Sequence, residues 1–348
     1  YDALLDIFEP NAKSAYVAKV FSNLREELVP FAQAIFEHQD RVSDEPLHRQ
    51  FPLEQQETFG LMIARALGYD FKRGRQDKVV HPFCTSFSRN DVRITTRFYP
   101  DFLSPALFGT IHETGHALYE QGLSPELDGT FLADGVSLGV HESQSRLWEN
   151  IVGRSYGFWS YFYPDAQRIF AGILDDVSLD EFYKAINAVK PSFIRVEADE
   201  VTYPLHIMLR FELELDILSG NLSLKDAPEA WNSKMQTYLG ITPPNDSEGI
   251  LQDVHWSSGI IGYFPTYALG TLLSAQLYEA ALKDHPSIPE EIQIGKFDTL
   301  LEWMRTNIHQ HGRRYMPDEL IQKATGQSLT HAPYMRYLKE KYTPIYDL

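Results

Sequence analysis

The sequence predicts a mainly α-helical fold carrying one small β-sheet, and three observations predict it. Apolar residues recur three and four positions apart over most of the chain, the pattern of helices with one buried face. One stretch, residues 78–98 (KVVHPFCTSFSRNDVRITTRF), instead concentrates Val, Ile, Thr and Phe around a polar SRND, as two strands joined by a turn would. The 348 residues suffice for roughly two domains or one large one, no repeat, low-complexity tract or Gly/Ser linker marks a boundary, and a single domain over 1–348 is expected.

The first long helix follows Pro10-Asn11. Val17, Val20, Phe21 and Leu24 set its buried face, and Phe31, Ile35 and Phe36 continue it beyond Pro30. After the two strands, DFLSPALFGTIHETGHALYEQG supplies Ser104 as a capping residue, Pro105 for the first helical position and Gly122 as a stop. Leu103, Leu107, Phe108 and Ile111 form its apolar side. A second helix is expected within residues 135–153, where Val136, Val140, Leu147 and Ile151 share a face. Ser178 with Glu181 three residues on is a capping box that opens another. Longer helical runs follow at 197–218, 226–239, 259–283, 294–309 and 333–341, and TPPNDSEG (242–249) reads as a loop.

Composition excludes some partners. The balance of 31 Lys+Arg against 48 Asp+Glu gives a net charge of −17, which repels nucleic acid and anionic membranes. The short basic runs KRGR (72–75) and RR (313–314) are solvated surface. One cysteine, Cys84, cannot form an internal disulfide, which fits a reducing cytoplasm. No apolar run approaches the roughly 18–20 residues that span a bilayer. The first residues, YDALLDIFEP, are acidic where a signal peptide is basic, and a start at Tyr rather than Met leaves room for a segment upstream, so localisation is weakly constrained.

The segment GTIHETGHALYEQG (109–122) carries the chemistry. His112 and His116 stand one helical turn apart on one face, so both imidazoles can bind one metal ion, with Glu113 beside them to take a proton from a metal-activated water. A third ligand is needed. The metzincin arrangement fails, because it requires Gly and His where this chain has Tyr119 and Gly122. Glu142, 26 residues after His116 on the next helix, is the expected third ligand, with Asp134 and Glu149 as rivals. Glu142 also suits a salt bridge to Arg146 at i+4, and His141 is placed to hydrogen-bond a ligand or the substrate. Two polar clusters in apolar surroundings complete the candidates: Arg195, Glu197, Asp199, Glu200, Tyr203 and His206, and Gln252, Asp253, His255, Trp256, Tyr263 and Tyr267.

Taken in order, His81-Pro82-Phe83, Asp91-x-Arg93-x-Thr95, His112-Glu113-Thr114-Gly115-His116, His141-Glu142-Ser143-Gln144 and Gln252-Asp253-Val254-His255-Trp256 resemble the carboxypeptidase Taq family of metallocarboxypeptidases. The resemblance implies a helical metallopeptidase fold similar to angiotensin-converting enzyme and the thimet-type oligopeptidases, with a deep central groove. It implies a cytoplasmic homodimer that removes single residues from peptides with a free C-terminal carboxylate, using zinc or, in its place, cobalt. Carried onto this chain, it makes His112, His116 and Glu142 the metal ligands and Glu113 the general base. Arg195 becomes the carboxylate receptor, with Arg93 in reserve. His255 and Tyr263 become the pair that hydrogen-bonds the tetrahedral intermediate, with Tyr267 the alternative to Tyr263, and His81 and the Asp91–Thr95 strand become a groove wall. Family chains carry a further helical region ahead of this point, absent from these 348 residues. The alternatives are a related-fold oligopeptidase that cuts internal bonds and an inactive zinc-containing binding protein.

Overall fold

The computed structural model describes residues 1–348. Helix α1 (Asp2–Leu5) leads into α2 (Ser14–Phe36), which passes through Pro30 without ending, as its apolar face requires. Helix α3 (Leu53–Ala66) precedes the sheet. The sheet has three strands, β1 (Gln76–Lys78), β2 (Cys84–Ser88) and β3 (Asp91–Thr96), in the order β1-β3-β2. The predicted hairpin is β2–β3, antiparallel and turning at Arg89-Asn90, with an irregularity between Ser86 and Ser88. Its first strand starts later than expected, after Pro82, and β1 is an unpredicted parallel strand pairing Gln76 with Ile94. Nothing in Gln-Asp-Lys signals a strand, because three polar residues carry no alternation.

Helix α4 (Ser104–Gly122) lies against β2 and β3. Ser104 and Gly122 do not act as the sequence suggested. Ser104 is the first helical residue, behind Leu103, and its side chain caps nothing. Gly122 keeps a negative φ and serves packing instead, because a Cβ there would stand 2.5 Å from the His309 ring. Helix α5 (Leu138–Arg146) is capped by Ser137, whose Oγ accepts from Val140 N, and it continues as a π-helical turn over Leu147–Val152.

Helices α6 (Tyr156–Ile169) and α7 (Leu179–Ile186) follow, the latter opened by the reciprocal Ser178–Glu181 capping box. Helix α8 (Tyr203–Leu218) starts six residues later than its apolar run, because Asp199 takes the backbone N–H groups of Val201 and Thr202 and ends the preceding loop. Then come α9 (Ala227–Leu239), α10 (Phe264–Asp284), α11 (Ile288–Gln293), α12 (Asp298–Asn307), α13 (Pro317–Thr325) and α14 (Ala332–Tyr346). The start of α10 at Phe264 leaves residues 252–263 as a loop with one 3₁₀ turn, Trp256–Ser258.

Two glycines set the packing that matters for function. At Gly115 a Cβ would lie 2.6 Å from Ser145 Cα, so α4 and α5 touch backbone to backbone. At Gly270 a Cβ would lie 2.6 Å from Glu142 Cβ, so α10 presses on α5 from the other side. Helix α5 is thus held in a narrow slot, and one hydrophobic cluster of 82 buried residues surrounds the assembly. No helix is long and apolar enough to cross a membrane.

Candidate active site and metal centre

Two imidazoles of α4 and one carboxylate of α5 meet where these helices touch. His112 Nε2 and His116 Nε2 lie 3.7 and 3.5 Å from Glu142 Oε2, and the three donor atoms are within 4.8 Å of one another. Ligands bound tetrahedrally at about 2.0–2.1 Å are separated by about 3.3 Å, so the cluster fits a small divalent cation with little movement. Two histidines and a carboxylate are also the donor set of catalytic sites that leave a fourth position open.

The outer ring nitrogens are engaged, which directs both Nε2 atoms to the cluster. His112 Nδ1 is 2.8 Å from Glu149 Oε2. His116 Nδ1 is 2.6 Å from His141 Nδ1, and His141 Nε2 is 2.8 Å from Glu120 Oε1. Ser86 on β2 donates to the other Glu120 oxygen at 2.8 Å. Such partners fix the tautomer and orientation of a ligating imidazole. Arg146 clamps both carboxylates of its own helix face: its Nε donates to Glu142 Oε1 at 2.7 Å and its Nη1 to Glu149 Oε2 at 3.2 Å. Glu142 therefore faces the imidazoles and pairs with Arg146 at once. Of its two rivals, Glu149 serves His112 from behind, and Asp134 is drawn off to Arg313 at 2.5 Å.

Burial and charge compete here. Burial would raise Glu142, but Arg146 and His112 hold it well below the usual carboxylate range. Burial brings His116 down to about 4, leaving it neutral and ready to ligate. Glu113, 6% exposed, is pushed up to about 7, chiefly by burial. Cys84 on β2 lies near enough to Glu113 and Glu120 for both to add to the upward push of burial on its thiol.

A second group forms where the 192–203 segment meets the 252–263 loop. Arg195, 5% exposed, donates from Nε and Nη2 to Asp253 Oδ1 at 3.0 and 2.7 Å and from Nη1 to Tyr203 Oη at 3.0 Å. Of the five guanidinium N–H groups two remain, both on the Nη atoms. Arg210, fully buried, donates to Asp253 Oδ2 at 2.7 Å. His255 Nε2 is 3.1 Å from Tyr267 Oη, and the Tyr263 ring lies between them and Phe8, 5.3 Å from His255 and 5.1 Å from Tyr267. Burial and the Arg195 charge bring His255 down to about 4, so it is neutral at pH 7. The two groups touch through Tyr203, whose ring lies under Arg146 at 4.3 Å.

The structure does not gather every candidate. Arg93 stands exposed on β3 in a two-bonded pair with Asp91, at 2.8 Å each, and is not part of either group. His81 is exposed in the turn before β2, yet close enough that its charge adds to the lowering of His255. Sequence reasoning missed Glu120, Arg210 and the part Glu149 plays. The signals existed: Glu142 and Glu149 are seven apart on one helical face, and Arg210 is a lone cation inside the apolar run YPLHIMLRFELEL.

Comparison with known proteins agrees with this geometry. The family model described as carboxypeptidase Taq (M32) metallopeptidase matches residues 1–342. Thermostable carboxypeptidase 1 of Thermus thermophilus is 48% identical over 346 residues, covering 99% of this chain and 68% of that one. Carboxypeptidase 1 of Bacillus subtilis is 46% identical over 348 residues, covering 100% and 70%. Among solved structures, the M32 carboxypeptidase of Deinococcus radiodurans R1 superposes with a TM-score of 0.97 at 45% identity, covering 100% of this chain and 70% of that one. Metallocarboxypeptidase 1 of Trypanosoma cruzi does so with a TM-score of 0.93 at 38% identity, covering 98% and 72%. With three residues grouped as a metal ion would need them and its likeness running along the whole chain, the chain belongs to the carboxypeptidase Taq (M32) family and is a metal-dependent carboxypeptidase acting on peptides.

Proposed function

We propose that this carboxypeptidase uses zinc, replaceable by cobalt, to remove single residues from peptide C-termini with broad preference, with Glu113 as general base and Arg195 as receptor for the terminal carboxylate. The observation that carries the reading is the juxtaposition of a His112–His116–Glu142 cluster with a buried arginine that keeps two N–H groups free, the two linked by Tyr203. A divalent cation held by the cluster supplies Lewis acidity and lowers the pKa of a bound water towards neutrality.

The chain's own residues do the rest. Glu113 takes the proton of the attacking water and returns it to the leaving amine, a transfer suited to a carboxyl near neutrality. Tyr263 and neutral His255 hydrogen-bond the oxygen on which charge develops, with Tyr267 aligning His255 at 3.1 Å. Arg195 holds the terminal carboxylate, which places the last peptide bond, rather than an internal one, over Glu113. His81 borders the site on the β2 side. One catalytic unit over 1–348, supported by the continuous core, and a cytoplasmic homodimer, supported by the family resemblance, belong to the same proposal.

Metal analysis combined with mass spectrometry of digests tests it. Stoichiometric zinc and stepwise loss of C-terminal residues are expected; internal fragments would replace the exopeptidase reading with that of an oligopeptidase.

A further inference from the structure

We propose that Glu214 is a positioning residue for the reaction: a single buried carboxylate that sets the loop bearing both His255 and Tyr263. The proposal rests on the roles given above to those two side chains.

Residues 252–263 lack a regular hydrogen-bond ladder, having only the 3₁₀ turn Trp256–Ser258 and a left-handed Gly259. Such a loop takes its shape from whatever anchors it. Glu214, on α8 and 3% exposed, provides the anchors. Its Oε1 accepts from Trp256 Nε1 at 2.8 Å, and its Oε2 accepts from Gly262 N at 3.1 Å and from Tyr1 Oη at 2.7 Å. Trp256 directly follows His255, and Gly262 directly precedes Tyr263. One carboxylate therefore grips the loop one residue away from each proposed donor to the developing oxyanion.

The surroundings leave the loop little freedom to shift. Gly262 has φ +85° and would put a Cβ 2.8 Å from Leu5 N, so the loop lies flush on the first helix of the chain. Phe8 meets the Tyr263 ring edge-on at 5.1 Å. The same segment reaches the metal-ligand helix, where Phe8 O accepts from Leu138 N and Glu9 Oε2 from Gly139 N, each at 3.0 Å. One turn earlier on α8, Arg210 holds Asp253 and through it Arg195. The two polar side chains divide the work: Arg210 serves the carboxylate end of the substrate and Glu214 the reacting carbonyl.

Chemistry explains why the residue is a glutamate. Three donors converge on two oxygens, which an ionised carboxylate can satisfy because it only accepts. An amide of the same shape must turn an N–H towards at least one donor.

The test compares Glu214→Gln, Glu214→Asp, Trp256→Phe and Arg210→Lys in the zinc-loaded enzyme, with folding checked by circular dichroism and thermal melting. For folded, zinc-replete Glu214→Gln we expect kcat to fall by about 10²-fold, the cost of roughly 1 Å of misplacement, at unchanged KM and unchanged preference for free over amidated C-termini. Glu214→Asp, which keeps every acceptor, should recover part of kcat, whereas Arg210→Lys should raise KM and erode the preference. If Glu214→Gln fails to fold, Trp256→Phe removes one anchor alone and should still lower kcat several-fold. Full kcat in folded Glu214→Gln, full kcat in Trp256→Phe, or a loss confined to KM would each overturn the proposal. His255→Ala and Tyr263→Phe, measured alongside, separate the readings: if they keep full kcat the donor assignment fails, and if they lose it while Glu214→Gln does not, only the positioning role fails.

Discussion

Replacing Gly115 by Ala adds one methyl group and asks whether the metal site depends on the closeness of two helices. The new Cβ would stand 2.6 Å from Ser145 Cα, 2.7 Å from Gln144 O and 2.9 Å from Ser145 N, all backbone atoms that cannot rotate aside. Carbon contacts normally lie at about 3.5–4.0 Å, so α4 and α5 must part by roughly 1 Å at this point. Ser145 is one turn from Glu142, and Gly115 adjoins His116. The movement therefore falls between the proposed ligands themselves, where distances are tolerated only to about ±0.2 Å.

The stability change has a definite sign. Overpacking against a rigid backbone costs about 3 kcal/mol, the upper end of its usual range. Glycine to alanine inside a helix ordinarily gains about 1 kcal/mol. The net loss is about 2 kcal/mol. For 348 residues at about 2.1 cal/mol/K each, the melting point drops by roughly 3 °C in chelator-treated protein. Zinc affinity should fall on the order of 10- to 100-fold, as it does when the supports of a ligand are disturbed. Calorimetry of the metal-free protein and competition against a chromogenic chelator read the two effects. A variant that melts at or above the parent and binds zinc within twofold of it would refute the argument, since propensity alone would then have decided the outcome.

Three further perturbations address separate parts of the site. Glu113→Gln should bind zinc as the parent does and lose about 10²- to 10⁴-fold in kcat, the usual worth of a general base; retained turnover would remove that role. Glu149→Gln should weaken zinc binding by about 10- to 100-fold because His112 Nδ1 loses its ionised partner, and chelator competition would show it. His309 concerns stability against acid. It is fully buried, 2.8 Å from Gln144 Oε1, and burial brings it down to about 3. The unfolded chain binds a proton there below about pH 6.5 while the folded one does not, so the folded state loses on the order of 1 kcal/mol per pH unit as pH falls towards 4. Melting curves of His309→Gln should accordingly fall less steeply than those of the parent between pH 6.5 and 4.5; parallel curves would contradict the assignment.

What the sequence discloses follows from how local each signal is. The two imidazoles are legible because four residues of helix bring them together whatever the rest of the chain does. Glu142 is legible by elimination and spacing, since one helix must finish and a second return before a carboxylate can arrive. Gly115, by contrast, looks like a penalty within a helix until its neighbour Ser145 is known, and Gly270 does the same until Glu142 appears beside it. The helices are readable from apolar periodicity, and the start of α7 from its capping box, but the starts of α8 and α10 are not. Asp199 delays α8 by local bonds to the N–H groups two and three residues on, whereas residues 259–263 are kept out of α10 where Gly259 and Gly262 turn left-handed and the distant Glu214 accepts from Trp256 and Gly262, tertiary bonds that override propensity. Arg93 shows another limit, since its place in a motif says nothing of the side it faces. On β3 it alternates away from the buried Val92 and Ile94 and meets Asp91 in solvent.

Charge separates the two ends of the site. Where α4 meets α5 the carboxylates Glu142, Glu149 and Glu120 outnumber Arg146 and Arg154 by one, and Glu113 lies beside them, which favours a cation. On the loop side Arg195 and Arg210 balance Asp253 and Glu214, but Arg195 keeps two N–H groups unpaired, which suits an anion. The chain carries −17 overall, but surface charges beyond about 8 Å are screened at physiological salt, whereas buried ones are screened far less. A substrate carboxylate is therefore repelled on approach and attracted on arrival. Raising the salt should speed the capture of acidic peptides while leaving the ratio of free-acid to amide cleavage nearly constant. That ratio, measured with paired peptides at 50 and 500 mM NaCl, would instead collapse if Arg195 met its ligand in open solvent, and the selectivity for chain ends would then need another cause.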